Sequence, residues 1–170
     1  NIGGAGSTVV ATALMKALVE RFPSTHFIAV VPPQLKDVFR NVGTNVELVI
    51  VDSLKLRWVS RLCDVQWRVR RLCKSYRADA CLSLGDVGPN NLPIPHVVLV
   101  QQYHLANISA AVERSWSWLN RIRFAYLRHH FRRMCRRGVE VIVQTPVMAN
   151  ALKEAFQISP QRLHVVPMAL

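Results

Sequence analysis

Residues capable of chemistry fall into three short segments of this chain, each next to a stretch that reads as strand or helix. The first is Asn1-Ile2-Gly3-Gly4-Ala5-Gly6, directly before a helical pattern. Glycines there permit positive φ and close backbone approach, and the free N–H groups and positive dipole at a helix start suit an anion. A plain tight turn uses the same residues. The second is Ser83-Leu84-Gly85-Asp86 with Gly88-Pro89-Asn90-Asn91, followed by His96 to Val100 and then Gln101-Gln102-Tyr103-His104. A loop and a strand end would thus bring amide, hydroxyl and imidazole groups to one edge, the kind of cluster that recognises a sugar. Gln101 and His104 are the candidates for contact with reacting groups. Gly85 and Asp86 are candidates for substrate or phosphate binding, with Asp86 able to act as a base or simply to hold a turn. The third segment is Gln144-Thr145, ahead of a helix that starts with Pro146.

Other chemistries find no support. No serine nucleophile elbow, catalytic triad or metal-ligand cluster is visible, and His129-His130 point in different directions on a helix, so no metal site is predicted. In the register G-x-G-x-x-G from Gly4 the third glycine is Val9, and no Walker lysine follows, which counts against a nicotinamide-dependent oxidoreductase. The four cysteines (Cys63, Cys73, Cys81, Cys135) fit neither zinc ligation nor a disulfide framework. They read as reduced packing residues of a cytosolic protein.

The elements that must position these groups alternate along the chain. Helices are predicted at Ser7 to Phe22 (capped by Ser7 or Thr8), Pro33 to Asn41, Leu56 to Tyr76 and Trp116 to Arg137. Strands are predicted at Phe27 to Val31, Val46 to Val51, Ala80 to Leu84 and Val97 to Val100, the second apolar enough to be covered on both faces. From Val139 to Pro167 the order is strand, turn, helix, loop, strand. Thr145 is the natural N-cap there and Pro146 sits where a first helical turn accepts proline. Such a unit implies a parallel pair with a right-handed crossover. The whole predicts an α/β protein with a doubly wound, Rossmann-like parallel sheet and helices on both faces. Ligands then bind beyond the carboxyl ends of the strands. At 51% apolar residues the chain is not a disordered one. Thr8 to Val19, interrupted by Lys16, is too short for the ~20 residues of a membrane span.

The last segment also resembles a known family. A strand ending in Gln144-Thr145, a helix from Pro146, the loop Ile158-Ser159-Pro160-Gln161-Arg162 and the strand Leu163-His164-Val165-Val166-Pro167 look like the end of the N-terminal domain in family 4 glycosyltransferases of the GT-B fold. The resemblance implies that residues 1–170 are a single acceptor-side domain, one half of a GT-B fold. It implies a first strand missing before Asn1 and a donor-binding domain that would follow Leu170. The implied enzyme is a hexosyltransferase that moves a sugar from a nucleotide-sugar donor to a lipid-linked or envelope-glycan acceptor, and this half alone is expected to be inactive. No cofactor is expected in this domain. In the family the glycine-rich loop lines the cleft, which places Gly3, Gly4, Ala5 and Gly6 with Gln144 and Thr145 at the substrate side. The family's apolar strand ends in a histidine, whereas here Gln101 takes that position and His104 follows three residues later; either could fill the role.

Charge gives the remaining expectation. Of 22 basic residues in a chain of formal net charge +12, eight lie in Lys55 to Arg77 and eight in Arg114 to Arg137. The second segment contains no acid and interleaves Trp116, Trp118, Phe124, Tyr126 and Phe131 with arginine, as an interfacial helix does. Each basic residue near an anionic membrane contributes ~1 kcal/mol, so several together favour a peripheral position on the cytoplasmic membrane face. A solvated face with arginine stems over the core is the alternative. Non-specific nucleic-acid binding is a third reading, unsupported by any helix-turn-helix, RRM, KH or zinc-finger pattern.

Overall fold

Ala5–Arg21 forms α1, ending two residues before Pro23, which cannot continue a helix. The helix begins two residues earlier than the sequence predicts. Ala5 and Gly6 belong to its first turn rather than to a loop, and neither Ser7 nor Thr8 is the cap, since both lie inside the helix. The first-turn N–H groups have no intrahelical partner in any helix, so small residues are accommodated there easily. The computed structural model describes residues 5–51, 64–106 and 114–167; Gly3 and Gly4 lie outside them.

The described chain is organised as two compact units, Asn1–Asp64 and Val65–Leu170. In the first, β1 (Phe27–Val31) pairs in parallel with β2 (Val46–Ile50), with Phe27 opposite Val46 and Val31 opposite Ile50. Between them the predicted helix splits into a 3-10 turn at Pro33–Leu35 and α2 at Lys36–Arg40. Leu35, Phe39 and Val42 are buried with Ala29 and Val31. Complete burial of the second strand is not observed: Glu47 is exposed and Ile50 is 41% exposed.

The second unit holds the larger sheet. A π-helical turn at Asp64–Arg68 leads into α3 (Val69–Ser75), and the upstream part of the helix predicted from Leu56 lies outside the described residues. Four parallel strands follow in spatial order β3 (Cys81–Ser83), β4 (His96–Leu99), β5 (Glu140–Val143) and β6 (Leu163–Val165). The register places Ser83 beside Val98, Val98 beside Val141, and Val141 beside Leu163. Val98, Val100, Val141 and Val143 therefore share one face. Against it pack α4 (Trp118–Arg136) through Phe131, Met134 and Cys135, and α5 (Pro146–Phe156) through Met148, Ala149, Leu152 and Phe156. The Phe131 and Phe156 rings meet edge to face at 4.8 Å. Leu99, on the opposite face by alternation, is also fully buried. With every strand pair parallel and helices on both faces, the chain has the predicted α/β class.

Several predicted boundaries move by a residue or two, β3 shortening from Ala80–Leu84 to Cys81–Ser83. Trp116 precedes α4 rather than opening it, because Ser117 caps the helix by accepting the Asn120 N–H, while the Trp116 indole stacks on Phe124 at 4.3 Å. β4 starts at His96, one residue earlier than predicted. Cys73, Cys81 and Cys135 are free thiols, and Cys63 lies outside the described residues. Burial pushes the Cys135 thiol up to about 12, and a hydrogen bond from Cys81 lowers Cys73 to about 7.

Candidate functional site at the carboxyl edge of the sheet

In a parallel sheet all strand tips of one polarity lie on one edge, and a crevice beyond the carboxyl tips is where such folds hold ligands. In the second unit that edge gathers Gly85 and Asp86 after β3, Gln101 to His104 after β4, and Gln144-Thr145 after β5. The Ala5 and Gly6 positions belong to the first unit.

Asp86 fixes the middle of this edge. It sits at φ +46°, an uncommon conformation that Asp tolerates better than most residues. Its own N–H donates to the Leu99 carbonyl at 3.2 Å. Its Oδ1 accepts the N–H groups of Gln101 at 2.8 Å and Gln102 at 2.9 Å. One buried carboxylate thereby ties the turn after β3 to the continuation of β4, and charge-assisted bonds of this length are the stronger kind. Beyond Gln102 the chain makes a 3-10 turn, Tyr103–Leu105, whose Leu105 is buried in the core together with Ala106. Leu105 anchors the turn from below. Tyr103 and His104 are left exposed above it, the His104 imidazole edge-on to the Trp116 indole at 6.1 Å. The Gln101 side chain is half-buried, and its Nε2 is enclosed with no hydrogen-bond partner among the described residues.

The third part of the edge is the start of α5. Thr145 Oγ1 accepts the Met148 N–H at 3.2 Å, the capping bond predicted from the sequence, and Pro146 occupies the first turn. Gln144 is half-buried at the tip of β5 and Thr145 is exposed.

Not all the polar residues of the loop reach this edge. Ser83 Oγ hydrogen-bonds His96 Nε2 at 2.9 Å, and Gly88 packs so closely on both that a Cβ there would overlap the hydroxyl and the ring. His96 is 7% exposed, and burial pushes it down to about 4. Asn90 Nδ2 meets His130 Nδ1 at 2.9 Å, while His130 Nε2 lies 2.9 Å from the Gly88 carbonyl. Gln66 completes the cluster: its Nε2 donates to the same carbonyl at 3.2 Å, and its Oε1 accepts the Asn90 N–H at 3.0 Å. The Gly88 carbonyl, which can only accept, selects the tautomer with the proton on Nε2, although Gln66 Nε2 also lies 2.9 Å from that ring nitrogen. His130 is neutral, its charged form disfavoured first by burial, with Nε2–H donating to Gly88 O and Nδ1 accepting from Asn90. Ser83, Asn90 and His96, which the sequence reading grouped with the sugar-recognising cluster, are thus turned inward. The sequence reading left out Gln66 and weighed His130 only as a metal ligand; nothing local marks the two as partners.

A parallel α/β unit with glutamine, histidine and threonine gathered at its carboxyl edge defines a Rossmann-like domain. The family model for Glycosyltransferase Family 4 matches residues 4–169. The chain therefore belongs to that family, whose chemistry is glycosyl transfer. No curated protein and no solved structure matches it.

Proposed function

We propose that this chain is the acceptor-side half of a hexosyltransferase using a nucleotide-sugar donor, with the acceptor seated on the carboxyl edge of the second unit. The observation that carries this reading is the rim built by Asp86: a single buried carboxylate holds two successive amides. Gln101 and His104 are thereby presented from a rigid base, as a group that must orient a sugar hydroxyl requires. Gln101 Nε2 is an enclosed donor with no protein partner among the described residues, and turning the amide outward brings it to a sugar oxygen. His104 is the group free to take up a proton from the attacking hydroxyl. Gly85, Gln144 and Thr145 shape the sides of the rim. Diphosphate stabilisation falls to a separate donor-binding domain.

The acceptor is lipid-linked and is met at a membrane surface. Supporting this, Trp118, Leu119, Ile122 and Tyr126 are 68%, 52%, 49% and 38% exposed and form one stripe along α4, in a segment carrying arginine and no acid. No described helix is long and apolar enough to cross a membrane, so the contact is peripheral.

The test is an NMR titration of the 170-residue chain with soluble glycan and short-chain lipid-linked sugar acceptors, then with nucleotide sugars. Acceptors are expected to shift the Gln101 to Leu105 amides, while nucleotide sugars leave them unmoved and are not turned over. Turnover of a nucleotide sugar by these residues alone, or binding of it on that rim, refutes the assignment.

A further inference from the structure

The edge of the second unit opposite the carboxyl tips carries a cavity that acceptor binding leaves unused. α4 and α5 both end there, before the chain enters β5 and β6 at their first residues. The cavity has a volume of about 410 Å³ and is lined by Arg132, Arg136, Arg162, Ala155, Phe156 and Gln157 beside Cys135. That lies within the roughly 300–1,000 Å³ of small-molecule sites. None of the described residues lining it is acidic.

Three guanidinium groups around one hollow call for an explanation, because two helix carboxyl ends alone would be served by fewer. Only Arg162 is engaged with backbone, its Nη1 donating to the Cys135 carbonyl at 2.8 Å. That bond orients the rest of its fork. Arg132 lies over the Phe156 ring at 5.8 Å, a stacking contact that leaves its N–H edge free. The Arg136 side chain has no hydrogen-bond or ion-pair partner among the described residues. Gln157, at φ +55° just past α5, turns the chain around the opening.

We propose that this cavity is a binding site for a phosphate-bearing anion, clamped by Arg132, Arg136 and Arg162 against the Phe156 wall. Guanidinium forks match phosphate oxygens two at a time, and three positive charges favour a polyvalent phosphate or diphosphate over a single carboxylate. The site is separate from the acceptor rim and does not depend on the proposed reaction. Two sources supply the same chemistry: a soluble phosphorylated molecule or the headgroup of an anionic lipid.

The test is calorimetric titration of the chain with sodium pyrophosphate at low salt, paired with flotation on phosphatidylcholine vesicles with and without phosphatidylglycerol. Arg132→Gln with Arg136→Gln is the variant, both side chains being exposed. Arg70→Gln with Arg71→Gln, on α3, removes the same charge elsewhere. Saturable pyrophosphate binding, weakened about tenfold or more by the first pair and little by the second, supports a soluble ligand. Binding to phosphatidylglycerol vesicles alone, with the same dependence, supports a headgroup. Failure of both probes, or equal weakening by the two pairs, overturns the proposal. As an independent check on the unmodified chain, pyrophosphate or short-chain phosphatidylglycerol should shift the Gln157 and Arg162 amides, and unmoved amides with both would overturn it as well.

Discussion

Replacing Asp86 separates the contributions that hold the rim at the carboxyl edge of the second unit. The native carboxylate accepts two N–H groups at 2.8 and 2.9 Å from a buried position. Hydrogen bonds to a charged group contribute about 1.5–3 kcal/mol each, neutral ones about 1 kcal/mol. Asp86→Asn keeps an acceptor oxygen and loses the charge, so it should cost about 1–3 kcal/mol. Asp86→Ala removes both bonds to a charged acceptor, about 1.5–3 kcal/mol each, and keeps the β-carbon at φ +46° that aspartate already has, giving a loss of about 3–6 kcal/mol. Asp86→Gly removes the backbone strain and not the lost bonds, so it should fall between them. Amide hydrogen exchange reads this locally, independent of whether the two units unfold together. The Gln101 and Gln102 amides should exchange roughly tenfold faster for each 1.4 kcal/mol lost, in the order Asn, Gly, Ala. Unchanged exchange at both amides in the alanine variant would refute the claim that this carboxylate builds the rim.

The remaining expectations concern other parts of the second unit. His96 lies at about 4 when folded against an ordinary 6.5, so the unfolded chain takes up its proton first as pH falls. Its contribution is complete above pH 6.5 and is lost between there and pH 4, at up to about 1.4 kcal/mol per pH unit; urea unfolding across this range should show the slope, and His96→Gln should flatten it. Thr145→Ala should destabilise α5 by about 1 kcal/mol and Thr145→Ser by less, as judged from the same unfolding curves. Gly88→Ala must displace the Ser83 hydroxyl and the His96 ring, at a cost of about 1–3 kcal/mol that thermal denaturation will register. Trp118→Ser with Ile122→Ser should reduce sedimentation with anionic vesicles at unchanged folding, since both side chains are exposed.

The legible parts of this chain were those governed by local rules. β5, Thr145, Pro146 and α5 were readable because a β-branched run, a capping residue and an N-terminal proline all act within a few residues. Parallel pairing followed from the strand, helix, strand order. The start of α1 was misplaced because glycine weighs against helix in sequence while costing little in a first turn. What stayed hidden depended on distance in space. Nothing local marks Asp86 as the holder of amides 15 and 16 residues away, nor Gln66 as a neighbour of His130, which lies 64 residues on. The loop was recognised as polar and turn-rich, yet which of its polar groups face solvent and which satisfy one another is decided by tertiary packing.

The carbonyl of Gly88 has a mechanical implication. It accepts hydrogen bonds from both Gln66 and His130, while Asn90 holds the far side of that imidazole. A slide of α4 by one turn, ~5.4 Å, would abandon all of these at once and strand them in a dry interior. The helix is therefore pegged lengthwise against the strands. Its exposed tryptophan and isoleucine stay at a constant offset from the histidine-bearing turn, so whatever fixes one end in place fixes the height of the other.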